Sequence, residues 1–196
     1  MLKNKKNFIY IIFAIVLVAY CIRVYAINTS VTPPAEKVYK CGDIAPFGSD
    51  FIYSSEHKIE GYRIQTLGCK IYTREEFIEK YRKDVEKDLL VYDYYITADV
   101  KIYNDNTVEN EKSGISLLYM PLTSINDNIM CDEDATLFAN PTLPGVSFSL
   151  RPSSNMDVTI VYPLSKSNYK SVGKIESTDF SIRISNYPTR KLIKIK

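Results

Sequence analysis

Histidine, the residue that most often serves as general acid or base, occurs once in this chain of 196 residues. Its one histidine, His57, lies in the polar run Ser54-Ser55-Glu56-His57-Lys58. A histidine can serve a serine as general base, but the nucleophile-elbow pattern Gly-x-Ser-x-Gly does not occur in the sequence. A histidine between polar neighbours is typical of a solvated loop. We therefore predict no catalytic residue and no enzyme activity.

Acidic residues gather in one short region that has the chemistry of a cation site. Asp132, Glu133 and Asp134 are consecutive, and Asp127 lies shortly before them. Carboxylate oxygens are ligands for Ca²⁺, but this run lacks the alternating acidic positions of a calcium-binding loop. We favour a solvated acidic turn. These four residues are therefore only weak candidates for a metal site, and we expect no metal and no cofactor.

Tyrosine usage is the next unusual feature, because the chain has 16 tyrosines and no tryptophan. Tyr95 and Tyr103 fall on the outward side of an alternating run of residues. Tyrosine supplies a large contact area with few rotatable bonds, which suits a recognition surface. Ordinary strands also favour tyrosine on both faces. These two residues are the candidate recognition surface for a protein, a peptide or a component of the cell envelope.

The C-terminal end is basic, since no acid follows Asp179. Such an end could contact an anionic surface polymer or lipid headgroups. The alternation from Lys191 onward is also typical of an edge strand whose lysines prevent pairing with another chain. We favour the edge strand. The basic residues of this end are Arg183, Arg190, Lys191, Lys194 and Lys196.

Three cysteines, Cys41, Cys69 and Cys131, follow the N-terminal segment. An odd number allows at most one pair within the chain. Cys69 lies in phase with Leu67 and Ile71 on a predicted strand, which favours a buried, small apolar residue. An oxidising location would permit a bridge between Cys41 and Cys69, although the spacing does not demand one. No Cys or His spacing indicates zinc.

Residues 1–27 are predicted to be a membrane segment. Three lysines and no acid precede an uncharged apolar run at 8–22, a bias that keeps the N-terminus in the cytoplasm and the following chain outside. Extended to Ile27, the run can span a hydrocarbon core of roughly 30 Å if Arg23 reaches outward. Cleavage after Ala26 is an alternative, but the length and the isoleucine content favour an uncleaved anchor.

The composition of the remaining chain narrows the classes of function. Without residues 1–27, it has 21 Lys and Arg against 23 Asp and Glu, a net charge of −2, which does not favour nucleic-acid binding. Ile, Lys, Asn and Tyr make 69 of the 196 residues, a usage typical of low-GC bacteria. We therefore expect the outside of a Gram-positive membrane. Residues 28–36 are predicted to be a short stalk, and 37–196 a single domain with its own core.

Hydrophobic periodicity in this domain predicts mostly β structure. Ile96, Ala98, Val100 and Ile102 alternate with more polar residues, which is the period of a strand with one buried face. Further runs of this kind are punctuated by turn residues. The predicted strands cover 62–73, 92–103, 115–123, 146–150, 157–164, 179–185 and 191–195.

One segment has helical rather than strand periodicity. Thr73 and Glu76 form a capping box, and the apolar residues Phe77 and Tyr81 follow four apart. We therefore predict one amphipathic helix at about 74–88. The predicted fold is mostly β: an Ig-like antiparallel β-sandwich of about seven to nine strands with this helix, preceded by an N-terminal transmembrane helix.

Several short segments occur in a characteristic order along the chain. They are Arg23-Val24-Tyr25, Tyr39-Lys40-Cys41-Gly42-Asp43, Gly61-Tyr62-Arg63-Ile64, Tyr72 to Phe77, Leu150-Arg151-Pro152, Val158 to Leu164, Ile184 to Pro188 and Lys191 to Ile195. This order resembles a family of uncharacterised, membrane-anchored, extracytoplasmic Ig-like domains of Gram-positive bacteria, related to the immunoprotective extracellular domain type. The resemblance spans nearly the whole chain and implies an Ig-like sandwich without catalytic residues.

These observations together predict a non-enzymatic module, tethered to the cell membrane, that binds a protein, peptide or envelope ligand outside the cell. The family resemblance points to an accessory of a transporter or to a protective, immunity-type protein. Two alternatives belong to other classes. One is a secreted envelope hydrolase or metal-dependent enzyme, and the other is a purely structural surface protein.

Overall fold

A computed structural model describes residues 2–30, 33–52, 59–81, 90–109 and 113–196. The chain divides into two compact units, residues 1–34 and residues 35–196.

The first unit consists of one helix, α1 (Leu2–Ser30). The most apolar window within its segment Asn7–Ser30 has a mean hydropathy of 2.3, and no part of that window is buried. By length and composition α1 can cross a membrane, and a signal sequence would satisfy the same two criteria. The predicted N-terminal apolar helix is therefore confirmed, with three residues more than expected at its C-terminal end.

The second unit is mostly β, with 11 strands in three sheets among the described residues. Every strand pair is antiparallel except β1 with β11, which is parallel. The first sheet contains, in spatial order, β1 (Ala35–Tyr39), β11 (Thr189–Lys194), β10 (Ser181–Ser185), β6 (Leu122–Thr123) and β7 (Asn128–Ile129). The second contains β2 (Ile44–Pro46), β3 (Tyr62–Thr73), β4 (Tyr94–Asn104) and β9 (Ser154–Leu164). The third pairs β5 (Ile115–Ser116) with β8 (Ser147–Phe148).

The main core lies against one face of the second sheet. Ile96, Ala98, Val100 and Ile102 of β4 are all buried there, as their alternation predicts. Residues of β9, β10 and β11 complete the same apolar cluster, so strands of the first and the second sheet contribute to one core. The predicted class, a mostly β fold of sandwich-like antiparallel sheets, is confirmed.

A helical layer covers part of the other face of the second sheet. It includes α2 (Arg74–Tyr81) and α3 (Glu133–Ala139), and a further short helix, α4 (Val172–Glu176), lies elsewhere in the unit. The second apolar cluster under this layer contains Phe77, Leu90, Tyr95, Ala135 and Val161. Part of the second sheet is therefore buried on both faces.

The predicted capping box opens α2 as expected. The Glu76 amide donates to the Thr73 hydroxyl at 3.3 Å, and the Thr73 amide donates to the Glu76 carboxylate at 2.8 Å. Helix α2 ends at Tyr81, and the rest of the predicted helix, to residue 88, lies outside the described residues. The shorter helices α3 and α4 were not predicted, because neither is long enough to show a helical period.

Other element bounds differ from those predicted. Helix α1 continues to Ser30 and β1 begins at Ala35, so both encroach on the predicted stalk at 28–36. The predicted strand at 115–123 is interrupted by a 3₁₀ turn at Leu117–Tyr119. Pro121, which follows this turn, has no amide hydrogen to donate to a ladder.

Strand β11 is not the edge strand that its lysines predicted. It pairs with β1 on one side and with β10 on the other. The described edges of the first sheet are β1 and β7. The prediction fails because β1 is a short, mostly exposed segment with little alternation, so the sequence offers no sign that it covers β11.

Candidate functional site

The acidic residues that were weak metal candidates have structural roles at the start of α3. Asp132 is its N-cap, and the Asp132 carboxylate accepts a hydrogen bond from the Ala135 amide at 3.0 Å. Glu133 and Asp134 lie in the first helical turn, where the helix dipole stabilises negative charge. Burial raises the pKa of the Asp132 carboxyl group.

Asp127 is engaged in the hairpin between β6 and β7. Its carboxylate accepts hydrogen bonds from the Tyr169 hydroxyl at 2.5 Å and from the Ser124 hydroxyl at 3.0 Å. Within the described ranges, no three His, Cys, Asp or Glu side chains come together as a metal site would require. His57 lies outside those ranges.

The two tyrosines of the predicted recognition surface have different environments. Tyr95 is fully buried, and its ring stacks on Phe77 of α2 with 4.7 Å between centroids. Burial raises the pKa of Tyr95 to about 12. The prediction of an outward Tyr95 is therefore wrong, because the helical layer covers this face. Tyr103 is half-buried; its hydroxyl donates to Gln65 at 2.8 Å, and the Arg63 guanidinium lies 5.0 Å from its ring.

The basic C-terminal residues do not form an unpaired cationic patch. Arg190 pairs with Glu36 of β1 at 3.5 Å, and Lys194 pairs with Asp179. Lys196 donates to a main-chain carbonyl. Because these charges already have partners, the structure gives little support to binding of an anionic polymer at this end.

Lys191 is buried and forms the best-enclosed ion pair among the described residues. Its ammonium lies 2.7 Å from the Asp50 carboxylate and also donates to the carbonyl oxygens of Pro46 at 2.7 Å and Phe47 at 2.9 Å. Both charged residues are 8% exposed. All three ammonium protons thus have acceptors, which identifies Lys191 as a structural residue linking β11 to the segment after β2.

The cysteines of the β unit are free thiols. Cys41 and Cys69 are half-buried, and the bridge that the sequence would permit between them is not formed. Cys131 is buried, with its sulfur 3.2 Å from the Thr136 hydroxyl oxygen. Burial raises the pKa of the Cys131 thiol to about 11, which keeps it protonated and unreactive near neutral pH.

A small cleft lies where one end of the second sheet meets the loop before β9. The ladder brings Tyr62 at the start of β3 opposite Asn104 at the end of β4, and Asn104 opposite Ser154 of β9. The cleft has a volume of about 190 Å³. We call it the strand-end cleft and define it by Tyr62, Asn106, Glu109, Ser113, Leu150 and Arg151.

The frame of the strand-end cleft is held by hydrogen bonds of two asparagines. The Asn104 side chain donates to the Leu150 carbonyl at 2.7 Å and accepts from the Asn106 side chain at 2.8 Å. Asn106 also donates to the Glu60 carbonyl at 3.0 Å. Gly61 approaches so closely that an added Cβ would lie 2.3 Å from the Asn106 side-chain oxygen, and its φ is +84°. Only glycine fits this position without strain.

Two hydroxyl groups lining the strand-end cleft keep hydrogen-bonding capacity. The Ser113 hydroxyl is buried and has no hydrogen-bond partner among the described residues, and Ser113 is 7% exposed. The Tyr62 hydroxyl accepts from the Leu150 amide at 3.1 Å, and no described residue accepts the Tyr62 proton. Since buried polar groups are almost always satisfied, the unpaired Ser113 hydroxyl is a candidate contact for a ligand or a water molecule.

Two opposite charges lie at the same cleft. Arg151 and Glu109 both line it and are exposed. Neither belongs to an ion pair within the part of the chain that the structure describes. The cleft therefore combines a cation, an anion and two hydroxyl groups with unused hydrogen-bonding capacity.

Sequence reasoning did not find the strand-end cleft, whose polar residues lie beside the ends of predicted strands. Asn104-Asp105-Asn106 ends one predicted strand, and Arg151-Pro152-Ser153 precedes another. The register that brings these turns together is a property of strand pairing, which the sequence did not specify. The signal that could have been followed is the clustering of polar turn residues at the ends of long alternating runs.

The fold and this cleft define a mostly β, sandwich-like domain with a small polar pocket at the strand ends, in a chain that begins with an apolar helix. The chain belongs to a family described as a domain of unknown function, DUF5028, whose model matches residues 36–191. The expectation of an uncharacterised domain family is thus confirmed. The curated proteins contain no match to this chain. Among solved structures, it is similar to the crystal structure of a functionally unknown protein from Listeria monocytogenes EGD-e, with 14% identity, coverage of 72% of this chain and 74% of that chain, and a TM-score of 0.41.

Proposed function

We propose that this protein is a non-enzymatic binding module, anchored in the cell membrane by α1, whose β domain recognises a ligand outside the cell. The observation that carries the binding role is the buried, unpartnered Ser113 hydroxyl in the wall of the strand-end cleft. A polar group left unsatisfied in this way costs on the order of 1–3 kcal/mol. A ligand that supplies the missing partner recovers part of that cost.

Binding accounts for this serine better than catalysis does. A nucleophilic serine needs a base within hydrogen-bond reach, and no described side chain forms a hydrogen bond with the Ser113 hydroxyl. The neighbouring Ser149 donates its own hydrogen bond to the Ser113 carbonyl, at 2.6 Å. At Ser113, the described residues therefore do not supply the pairing of nucleophile and base that a serine hydrolase requires.

The membrane anchor rests on α1 and on the charges before it. Three lysines and no acid precede Asn7–Ser30, which favours a cytoplasmic N-terminus and an extracytoplasmic β domain. The composition of the chain favours a Gram-positive host. The earlier resemblance to Ig-like protective domains favours an accessory of a transporter or an immunity-type protein as the wider role.

The anchor is tested by fractionation and protease protection of cells that express the full chain. The β domain should sediment with membranes and be degraded by protease added to intact protoplasts. Val16→Asp, in the middle of α1, should weaken membrane retention, because an acid at a helix centre costs roughly 2.5–3.5 kcal/mol of insertion free energy. A mature protein that begins at Ile27 and is found in the medium would overturn the anchor.

The binding role is tested by site-specific photo-crosslinking in cells. A photoreactive residue replaces Val108, which is 72% exposed at the cleft, or Ile125, which is 98% exposed in the β6–β7 hairpin. We expect a reproducible adduct from position 108 that is lost in Ser113→Ala, with none from position 125. Equal labelling at both positions, or none at either, would favour a structural surface protein.

A further inference from the structure

The strand-end cleft keeps hydrogen-bond donors on Ser113, Tyr62 and Arg151 beside one acidic group without a described partner, the Glu109 carboxylate. The Asn104 side-chain oxygen already accepts two hydrogen bonds, and the Leu150 and Ser113 carbonyls each accept one. Among the described residues, no group accepts the Ser113 or the Tyr62 hydroxyl proton. A ligand that satisfies these donors must present acceptors.

The charge at the cleft narrows the class of acceptor. Arg151 lines the cleft without an acidic partner among the described residues. A guanidinium group presents paired N–H donors that match the two oxygens of a carboxylate. Glu109 on the same rim would repel a ligand that carried several negative charges, which disfavours phosphate and favours a single carboxylate.

The size of the cleft limits how much of the ligand it holds. Its volume of about 190 Å³ is below the roughly 300–1,000 Å³ of pockets that enclose whole drug-sized ligands. The cleft can thus take the end of a molecule, about one amino-acid residue, while the remainder stays outside.

We propose that the strand-end cleft binds the carboxylate end of a short peptide or of another small carboxylic acid. Arg151 pairs with the carboxylate, and the Ser113 and Tyr62 hydroxyls donate to oxygens of the same terminal unit. This assignment rests on the proposed binding role and adds the chemical class of the ligand.

The test uses the full chain in nanodiscs, with ¹³C-methyl labels on Val108 and Leu150 as reporters in the cleft. The probes are acetate, N-acetyl-Ala-Ala, and the C-terminal amide of N-acetyl-Ala-Ala. The carboxylate peptide should shift both reporters and bind at least tenfold more tightly than its amide. A peptide that binds tenfold more tightly than acetate identifies a peptide terminus as the source, whereas equal affinities identify a small free acid.

Matched variants separate charge recognition from folding. Arg151→Gln should weaken carboxylate binding about tenfold, whereas Lys170→Gln, an equal charge change at an exposed residue outside the cleft, should leave it unchanged. Ser113→Ala should weaken it severalfold while the methyl spectrum stays native. Equal binding of the peptide acid and its amide would overturn the carboxylate assignment and leave the binding role intact. If none of the probes shifts the reporters, the carboxylate assignment fails, and crosslinking at Val108 then decides the binding role by itself.

Discussion

The buried ion pair of Lys191 and Asp50 leads to a quantitative prediction about stability. Lys191→Met removes a cation whose three protons all have acceptors, and it leaves the Asp50 carboxylate and two carbonyl groups without their donor. Removing one partner of a buried pair typically costs about 3–5 kcal/mol. Domains are commonly stable by only about 5–15 kcal/mol, so we expect this variant to lose a large part of its free energy of unfolding.

The measurement is urea denaturation of the full chain in non-ionic detergent, followed by far-UV circular dichroism. For a slope of about 2 kcal/mol per molar urea, the midpoint should fall by about 2 M. Lys101→Met is the matched control, because Lys101 lies 3.8 Å from Asp157 in an exposed pair. An exposed pair contributes about 0–1 kcal/mol, so this control should unfold almost like the wild type.

A double variant tests whether the unpaired Asp50 carboxylate causes the loss of stability in Lys191→Met. Lys191→Met combined with Asp50→Leu removes both charges, so it should be more stable than Lys191→Met alone, since no carboxylate is left buried without a partner. A loss below 1 kcal/mol in Lys191→Met, or a loss equal to that of Lys101→Met, would refute the reasoning and show that water reaches Asp50.

Three further predictions concern the helical layer and the residues beneath it. Phe77→Ala should cost about 3–5 kcal/mol in urea unfolding, because it removes a fully buried ring stacked on Tyr95; a cost below 1 kcal/mol would show that α2 is not needed for the fold. Asn140→Ala should cost about 1–3 kcal/mol of unfolding free energy, because the Asn140 side chain donates to the Thr159 carbonyl and accepts from the Thr159 main-chain amide. An unchanged urea midpoint would contradict this. Cys131 has a pKa raised to about 11 by burial, so at pH 9 iodoacetamide should modify it in urea but not in the native state, as mass spectrometry can show. The stability that comes from keeping the buried Cys131 thiol protonated is complete below the unfolded-state pKa of about 8.5 and is lost as the pH rises through about 11. Rapid labelling of native Cys131 at pH 9 would contradict its burial.

Local sequence patterns predicted the parts of the fold that depend on neighbours in the chain. The run at 62–73 matches β3 in both bounds, and Thr73 with Glu76 opens α2 as the capping box predicts. Both signals lie within one element, where side-chain period and helix capping act directly on the backbone. The apolar helix α1 was likewise predicted from a local pattern, its continuous run of apolar residues.

Features that depend on distant parts of the chain were not predictable in the same way. Tyr95 has the parity of an outward residue, yet α2 and α3 cover it. Lys191 has the pattern of a solvated edge lysine, yet Asp50 lies beside it. The strand-end cleft requires the register between β4 and β9, which brings Asn104 opposite Ser154. In each case the decisive partner is tens of residues or more away, and a single sequence does not reveal such pairings.

The parallel pairing of β1 with β11 has a consequence for the order of events during synthesis. The first strand of the β unit, Ala35–Tyr39, pairs with the last, Thr189–Lys194, so its hydrogen bonds cannot form until almost the whole chain has been made. At about 5–20 residues per second, this delay is roughly 10–30 s. During that time β1 is an unpaired strand, and Glu36 and Lys37 supply the charges that hinder its association with other chains. Loss of even the last ten residues would leave β1 permanently without its partner.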